Sequence, residues 1–162
     1  MQLRPLFSLL GSPVRHRSRL VLLAGALIAA PWLAAASPPA GSDLHVDVTG
    51  LRSAKGVVRA CLTSRAEGFP DCGPGDREMA VPAEGAVSFD FPAVAPGRYA
   101  IALIHDENGN GRMDRALLLM PKEGYGFSRD APVVMGPPSF AQAAFDVTAA
   151  PARQTIRIRY ML

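Results

Sequence analysis

Tryptophan occurs once in the 162 residues, cysteine twice and histidine three times. A structural zinc site asks for four Cys or His ligands at short spacings, and these few residues supply no such spacing. No Gly-x-Ser-x-Gly elbow is present to give a serine a nucleophile's role. Charged residues make up only 19% of the chain against 49% apolar, so it is neither disordered nor a polyelectrolyte. Beyond residue 36, no segment keeps the i, i+3, i+4 apolar spacing of a helix for three turns. What the chain has in excess is glycine and proline, 15 of each without a triplet period. That excludes collagen and predicts a turn-rich fold, and the length suits one domain.

The formal charge of +3 invites a polyanionic partner until the charges are located. Residues 1–19 carry Arg4, Arg15, Arg17 and Arg19 and no acid. An uncharged run, 20–36, follows and ends in Ala34-Ala35-Ala36. A basic start, a short apolar stretch and an A-x-A site predict a helical secretory signal peptide over 1–36, cleaved after Ala36. The run has 17 residues and contains Pro31. It is short of the roughly 20 that a spanning helix needs, so no stable membrane span is expected after cleavage. The lack of paired arginines points to the general secretory route and a periplasmic or secreted product. Without the four signal arginines, 13 basic residues face 14 acids, a net charge of −1. With no basic run left, nucleic acid is excluded as a partner.

Cys61 and Cys72 both lie in the mature part. In an exported chain an even count predicts one disulfide. After a short flexible leader, 37–42, the period becomes two. Leu44, Val46 and Val48 alternate with His45, Asp47 and Thr49. Similar alternation recurs at Val58–Leu62, at 78–81 as an edge strand, and at Val87, Phe89 and Phe91. It continues at Tyr99, Ile101, Leu103 and His105, at Phe145 and Val147, and at Ile156, Ile158 and Tyr160. About seven short strands with one face buried predict an all-β antiparallel sandwich with Greek-key connections over 43–162. The exception to alternation is 106–140, expected as a long loop insertion with one helical turn near Ser139.

The sharpest motif lies in that insertion: Asp106, Asn108, Asn110, Gly111 and Asp114 form D-x-N-x-N-G-x-x-D. Asp106, Asn108 and Asn110 match positions 1, 3 and 5 of a calcium loop, with Gly111 at the sharp turn. Arg112 would give its backbone carbonyl at position 7 and Asp114 its carboxylate at 9. Position 12, normally a bidentate Glu, is Leu117. A calcium site here therefore borrows a ligand from elsewhere, and Glu123 is the candidate. The competing reading is a metal-free turn, since Asn-Gly occurs twice and is a strong hairpin signal.

Other constellations are less specific. His45 and His105 with Asp106 form a candidate transition-metal set, beside the plainer reading of two strand residues. An envelope hydrolase would use an acid pair such as Asp106 and Glu123 with His105, or Ser128 or Ser139 as nucleophile. Tyr125 and Phe127, set between Gly124 and Gly126, are candidates for a partner-binding platform or for packing against the sandwich. The function expected is a non-catalytic binding or structural module for an unidentified envelope protein or ligand, with the hydrolase as the alternative.

Ala95-Pro96-Gly97-Arg98-Tyr99-Ala100, the 105–114 motif, Pro121-Lys122-Glu123-Gly124-Tyr125-Gly126-Phe127-Ser128 and Gly136-Pro137-Pro138-Ser139-Phe140 together have a further meaning. In combination they resemble the bacterial exported family labelled domain of unknown function 2141, over nearly all of 43–162. Arg129-Asp130 stands where that family's pattern leads one to expect Asn-Asn-like residues. The resemblance implies a secreted or periplasmic sandwich of prealbumin-like or Ig-like kind, and no particular activity.

Overall fold

The computed structural model describes residues 41–116 and 120–162. The expected signal peptide, 1–36, and most of the expected leader lie outside the described residues. Among those described, no helix is long and apolar enough to cross a membrane. Eight strands follow in order: β1 (Ser42–Thr49), β2 (Val57–Thr63), β3 (Arg77–Pro82), β4 (Val87–Val94), β5 (Gly97–Asp106), β6 (Gly124–Phe127), β7 (Phe145–Val147) and β8 (Ala152–Arg157). One helical turn, α1 (Phe140–Ala143), precedes β7. Strand β1 begins at Ser42, one residue inside the expected leader.

The strands form two sheets, one ordered β4-β1-β8 and the other β3-β2-β5-β6 with β7 added on β5. Alternation drives the packing between them. Leu44, Val46, Val48, Phe89 and Phe91 point inward from the first sheet and meet Val58, Leu62, Ile101 and Leu103 from the second. Each large apolar side chain so buried contributes about 1.5–3 kcal/mol. His45 and Asp47, one step out of phase, lie half-buried on the other face of β1. The result is the expected β-sandwich. One pairing departs from the antiparallel expectation, because β8 runs parallel to β1. Alternation sets which side chains face the core, not which strand is the neighbour.

The second sheet departs further. β5 is buried on both faces, with Ile101 and Leu103 in the main core and Ala100 and Ala102 under a second apolar cluster. The cover comes from the segment expected as a loop insertion. Part of it, Gly124–Phe127, is β6 and pairs with Ala102–His105 of β5. The small alanines leave room for Tyr125 and Phe127 above them. On the opposite face of β6, a Cβ at Gly124 would stand 2.5 Å from Ile158 Cγ2, and one at Gly126 would stand 2.8 Å from the Arg157 carbonyl oxygen. Glycine at both positions therefore lets the end of β8 and the residues just after it cross close to β6. Arg159 and Tyr125 exchange backbone hydrogen bonds there, at 2.8 and 3.0 Å.

Candidate functional site

The loop after β5 is built by its own short side chains. Asp106 ends β5 with no exposed surface. Its Oδ1 accepts the Asn110 N–H at 3.1 Å and its Oδ2 the Gly111 N–H at 2.8 Å. Asn108 Oδ1 also accepts from the Asn110 N–H at 3.0 Å, and Asn110 Oδ1 accepts from the Arg112 N–H at 2.9 Å. Short side chains that bond the backbone two residues on fold a tight loop without a regular ladder. Gly111 holds φ at +82°, which supplies the sharp turn expected at that position.

Asp114 closes the loop. Its carboxylate accepts from Asn108 Nδ2 at 2.6 Å and from Asn110 Nδ2 at 3.0 Å. The borrowed residue is in place as well. Glu123 is only 4% exposed and accepts the Glu107 N–H at 3.2 Å and the Asp114 N–H at 3.0 Å. Burial pushes the Glu123 carboxyl above its ordinary range, and the charges of Asp106 and Asp114 push it the same way, against its two N–H donors. Among the described residues, none of these three carboxylates forms an ion pair with a basic side chain. The next acid, Glu107, differs: hydrogen bonding from Arg52, and then from Ser53, holds its carboxyl at about 2.

Residues 46–155 match the model of a bacterial family described as uncharacterized protein conserved in bacteria, DUF2141. The chain belongs to the DUF2141 family. The matched span includes every loop residue named above. No curated protein and no solved structure matches this DUF2141 chain.

The remaining candidates separate in the DUF2141 fold. Cys61 and Cys72 form the disulfide, with Cα atoms 5.7 Å apart. Among the described residues, the group of cysteine and acid ligand atoms lying within 4.8 Å of one another is Cys61, Cys72 and Asp76. Its sulfurs are bonded to each other, and Asp76 is held by Arg65, Thr63 and the Gly73 N–H. The loop carboxylates do not form so tight a group, because backbone N–H groups and Asn amides stand between them.

Tyr125 and Phe127 are 8% and 6% exposed, so they offer no partner-binding platform. They pack in the second cluster over Ala100 and Ala102. His45 and His105 do not meet. The imidazole of His45 lies between Asp90, at 2.7 Å, and Asp47, at 3.3 Å, in the first sheet. His105, in the second sheet, is fully buried. Its Nε2 donates to the Lys55 carbonyl at 2.9 Å, and its Nδ1 bonds the Tyr160 hydroxyl at 2.6 Å. That arrangement rules out the two-histidine metal set. Ser128 is buried too, accepting the Ile101 N–H at 2.9 Å and donating to the Ala143 carbonyl at 2.6 Å. It fastens the cover to β5 and is not an accessible nucleophile. Ser139 precedes α1, and its N–H donates to Gln142 at 2.7 Å, a capping role.

Arg52 and Tyr160 are the residues that sequence reasoning missed. Arg52 contacts Glu107, Lys122 and Tyr160, which lie 55, 70 and 108 residues away, and no local pattern marks it.

Proposed function

We propose that this DUF2141 chain is a non-catalytic bacterial envelope module, exported and cleaved after Ala36, whose 106–114 loop binds calcium with Glu123 as the borrowed ligand. The observation that carries the reading is the gathering of Asp106, Asp114 and Glu123 at one end of the β5–β6 pair, two of them buried and none in an ion pair with a basic side chain among the described residues. Uncompensated carboxylates away from water are costly unless a cation joins them. The donor set is all hard oxygen: three carboxylates, the Asn108 and Asn110 amide oxygens and the Arg112 carbonyl. That set suits calcium, which takes six to eight oxygens, better than a transition metal. Bound calcium would supply charge balance and cross-linking, not reaction chemistry. It would replace the two Asn amide donors that now hold Asp114.

The hydrolase alternative draws less support. Asp106 and Glu123 each spend their oxygens on two backbone N–H donors, and both nitrogens of His105 are engaged. Two open surface depressions are lined by Gly50 with 157–160 and by Pro132 with 134–138 and Gln142, and neither lining includes Asp106 or Glu123.

The test is thermal melting of chelator-stripped protein with and without calcium. With a dissociation constant of ~10⁻⁴–10⁻³ M, typical of extracellular modules, ~10 mM calcium stabilises by about 1.4–2.7 kcal/mol. Glu123→Gln is expected to remove most of that gain. A melting temperature unmoved by millimolar calcium sinks the reading.

A further inference from the structure

The loop's two anchoring acids come from distant chain segments, Asp106 at the end of β5 and Glu123 just before β6. One side chain outside the loop grips the neighbour of each. Arg52 Nε and Nη2 donate to the Glu107 carboxylate, at 3.1 and 2.5 Å to Oε2. The same Nη2 donates to the Lys122 carbonyl at 3.0 Å. Glu107 follows Asp106 and Lys122 precedes Glu123, so Arg52 ties the two ligand-bearing segments together. Ser53 Oγ adds a bond to Glu107 Oε1 at 2.7 Å, and the Glu107 N–H closes the circuit on Glu123.

Arg52 is itself fixed from the far end of the chain. Its guanidinium stacks over the Tyr160 ring, 4.3 Å from the centroid. Its backbone N–H donates to the Tyr160 hydroxyl at 3.1 Å, and that hydroxyl bonds His105, the residue before Asp106. Arg52 Nη1 also reaches the Leu162 carbonyl. A planar fork with five donors can make all these contacts at once, whereas an ammonium cannot.

We infer that Arg52, seated on Tyr160, is the positioning residue of the cation loop: it sets the distance between Asp106 and Glu123 and thereby the loop's affinity for a divalent cation. The inference rests on the calcium reading for its affinity part and on hydrogen-bond geometry alone for its positioning part. Residues that orient ligands from outside the coordination shell typically change metal affinity by about 10–100-fold.

The experiment uses the full mature chain, with calcium chloride as the probe and two readouts. Amide hydrogen exchange is measured without calcium, and calcium affinity by calorimetry. Arg52→Ala is expected to speed exchange at the Glu107, Asn110, Gly111 and Asp114 amides about tenfold, with the β1 and β4 amides unchanged. It is also expected to weaken calcium at least about tenfold. Arg52→Lys, which keeps the charge and loses the fork, should fall between wild type and Arg52→Ala in both readouts. If Arg52→Ala unfolds, Arg52→Lys and Tyr160→Phe carry the same comparison. Two results overturn the inference: loop amides no faster than the sheet amides, or calcium affinity unchanged while overall stability falls. A wild-type protein that ignores calcium refutes the calcium reading and the affinity part with it, and the exchange result then decides the positioning part.

Discussion

Replacing Ser128 with alanine isolates the contact that holds the cover on β5. The β5–β6 ladder ends at Ala102 and Phe127, and the Ser128 hydroxyl continues it by accepting the Ile101 N–H. The same hydroxyl donates to Ala143, whose chain forms the far end of the cover. Ser128 has no exposed surface, and neither do Ile101 and Ala143. Alanine therefore leaves one buried N–H and one buried carbonyl without this partner. At roughly 1–3 kcal/mol for each of the two buried groups left unpaired, the loss should be about 2–6 kcal/mol. For a domain of this size that is a fall in melting temperature of about 10–20 °C. Ser139→Ala is the control: its hydroxyl is exposed and bonds only the Gln142 side chain, so about 1 kcal/mol or less is expected. Urea unfolding of both variants gives the two numbers. A Ser128→Ala loss under about 1 kcal/mol would mean that water or a rearranged backbone satisfies both groups, and the argument that Ser128 staples the cover would fail.

Two further outcomes follow from other contacts. Gly126→Ala should cost about 1–3 kcal/mol, because the added Cβ meets the Arg157 carbonyl oxygen at 2.8 Å and Ile156 Cγ2 at 2.9 Å; Gly136→Ala, with nothing within 4 Å, should be near neutral in the same urea assay. Arg65, with help from Gly73 and Thr63, lowers the Asp76 carboxyl to about 2 from the ordinary 3.8. The unfolded chain then binds more protons than the fold between those values. The contribution of Asp76 is therefore complete above about pH 4 and lost as pH falls towards 2. Asp76→Asn should lose stability relative to wild type near neutrality and converge with it at about pH 2, as read from unfolding midpoints; a constant difference across that range would refute the assignment.

The first sheet and the main core were legible because alternation is a direct record of which side chains face inward. Leu44, Val46 and Val48 are buried in the register that the sequence predicts. β6 was not legible, since a four-residue strand reading Gly-Tyr-Gly-Phe has no side chain on one face and so no apolar/polar alternation to see. Its glycines are needed because Ile156, Arg157 and Ile158, 30 or more residues further along the chain, pass over them. The disulfide was legible from the even cysteine count together with the expectation of export. In the loop, Asp106, Asn108, Asn110, Gly111 and Asp114 showed themselves by spacing. Glu123 showed itself only through the leucine at position 117. Arg52 carries no periodic or motif signal, and Tyr160 showed only strand alternation with Ile156 and Ile158, because their roles around the loop come from long-range closure of the sandwich.

That closure bears on how the loop works. A self-contained calcium loop brings its last carboxylate within 12 residues, and flanking helices carry the response. Here the last carboxylate would be Glu123, which sits at the entry to β6, and β6 is bonded to β5 on one side and to Arg159 on the other. Asp106 is itself part of β5. Under the calcium reading, a cation bound between them joins the end of one strand to the start of its neighbour, at the edge where the chain beyond β8 crosses over. Binding energy is then spent on holding that edge of the sandwich closed, which is a structural use of the ion and requires no cleft. Under the same reading, Asp106 and Glu123 act as cross-links between two strands, each carboxylate already holding two backbone N–H groups of the loop in place for the ion.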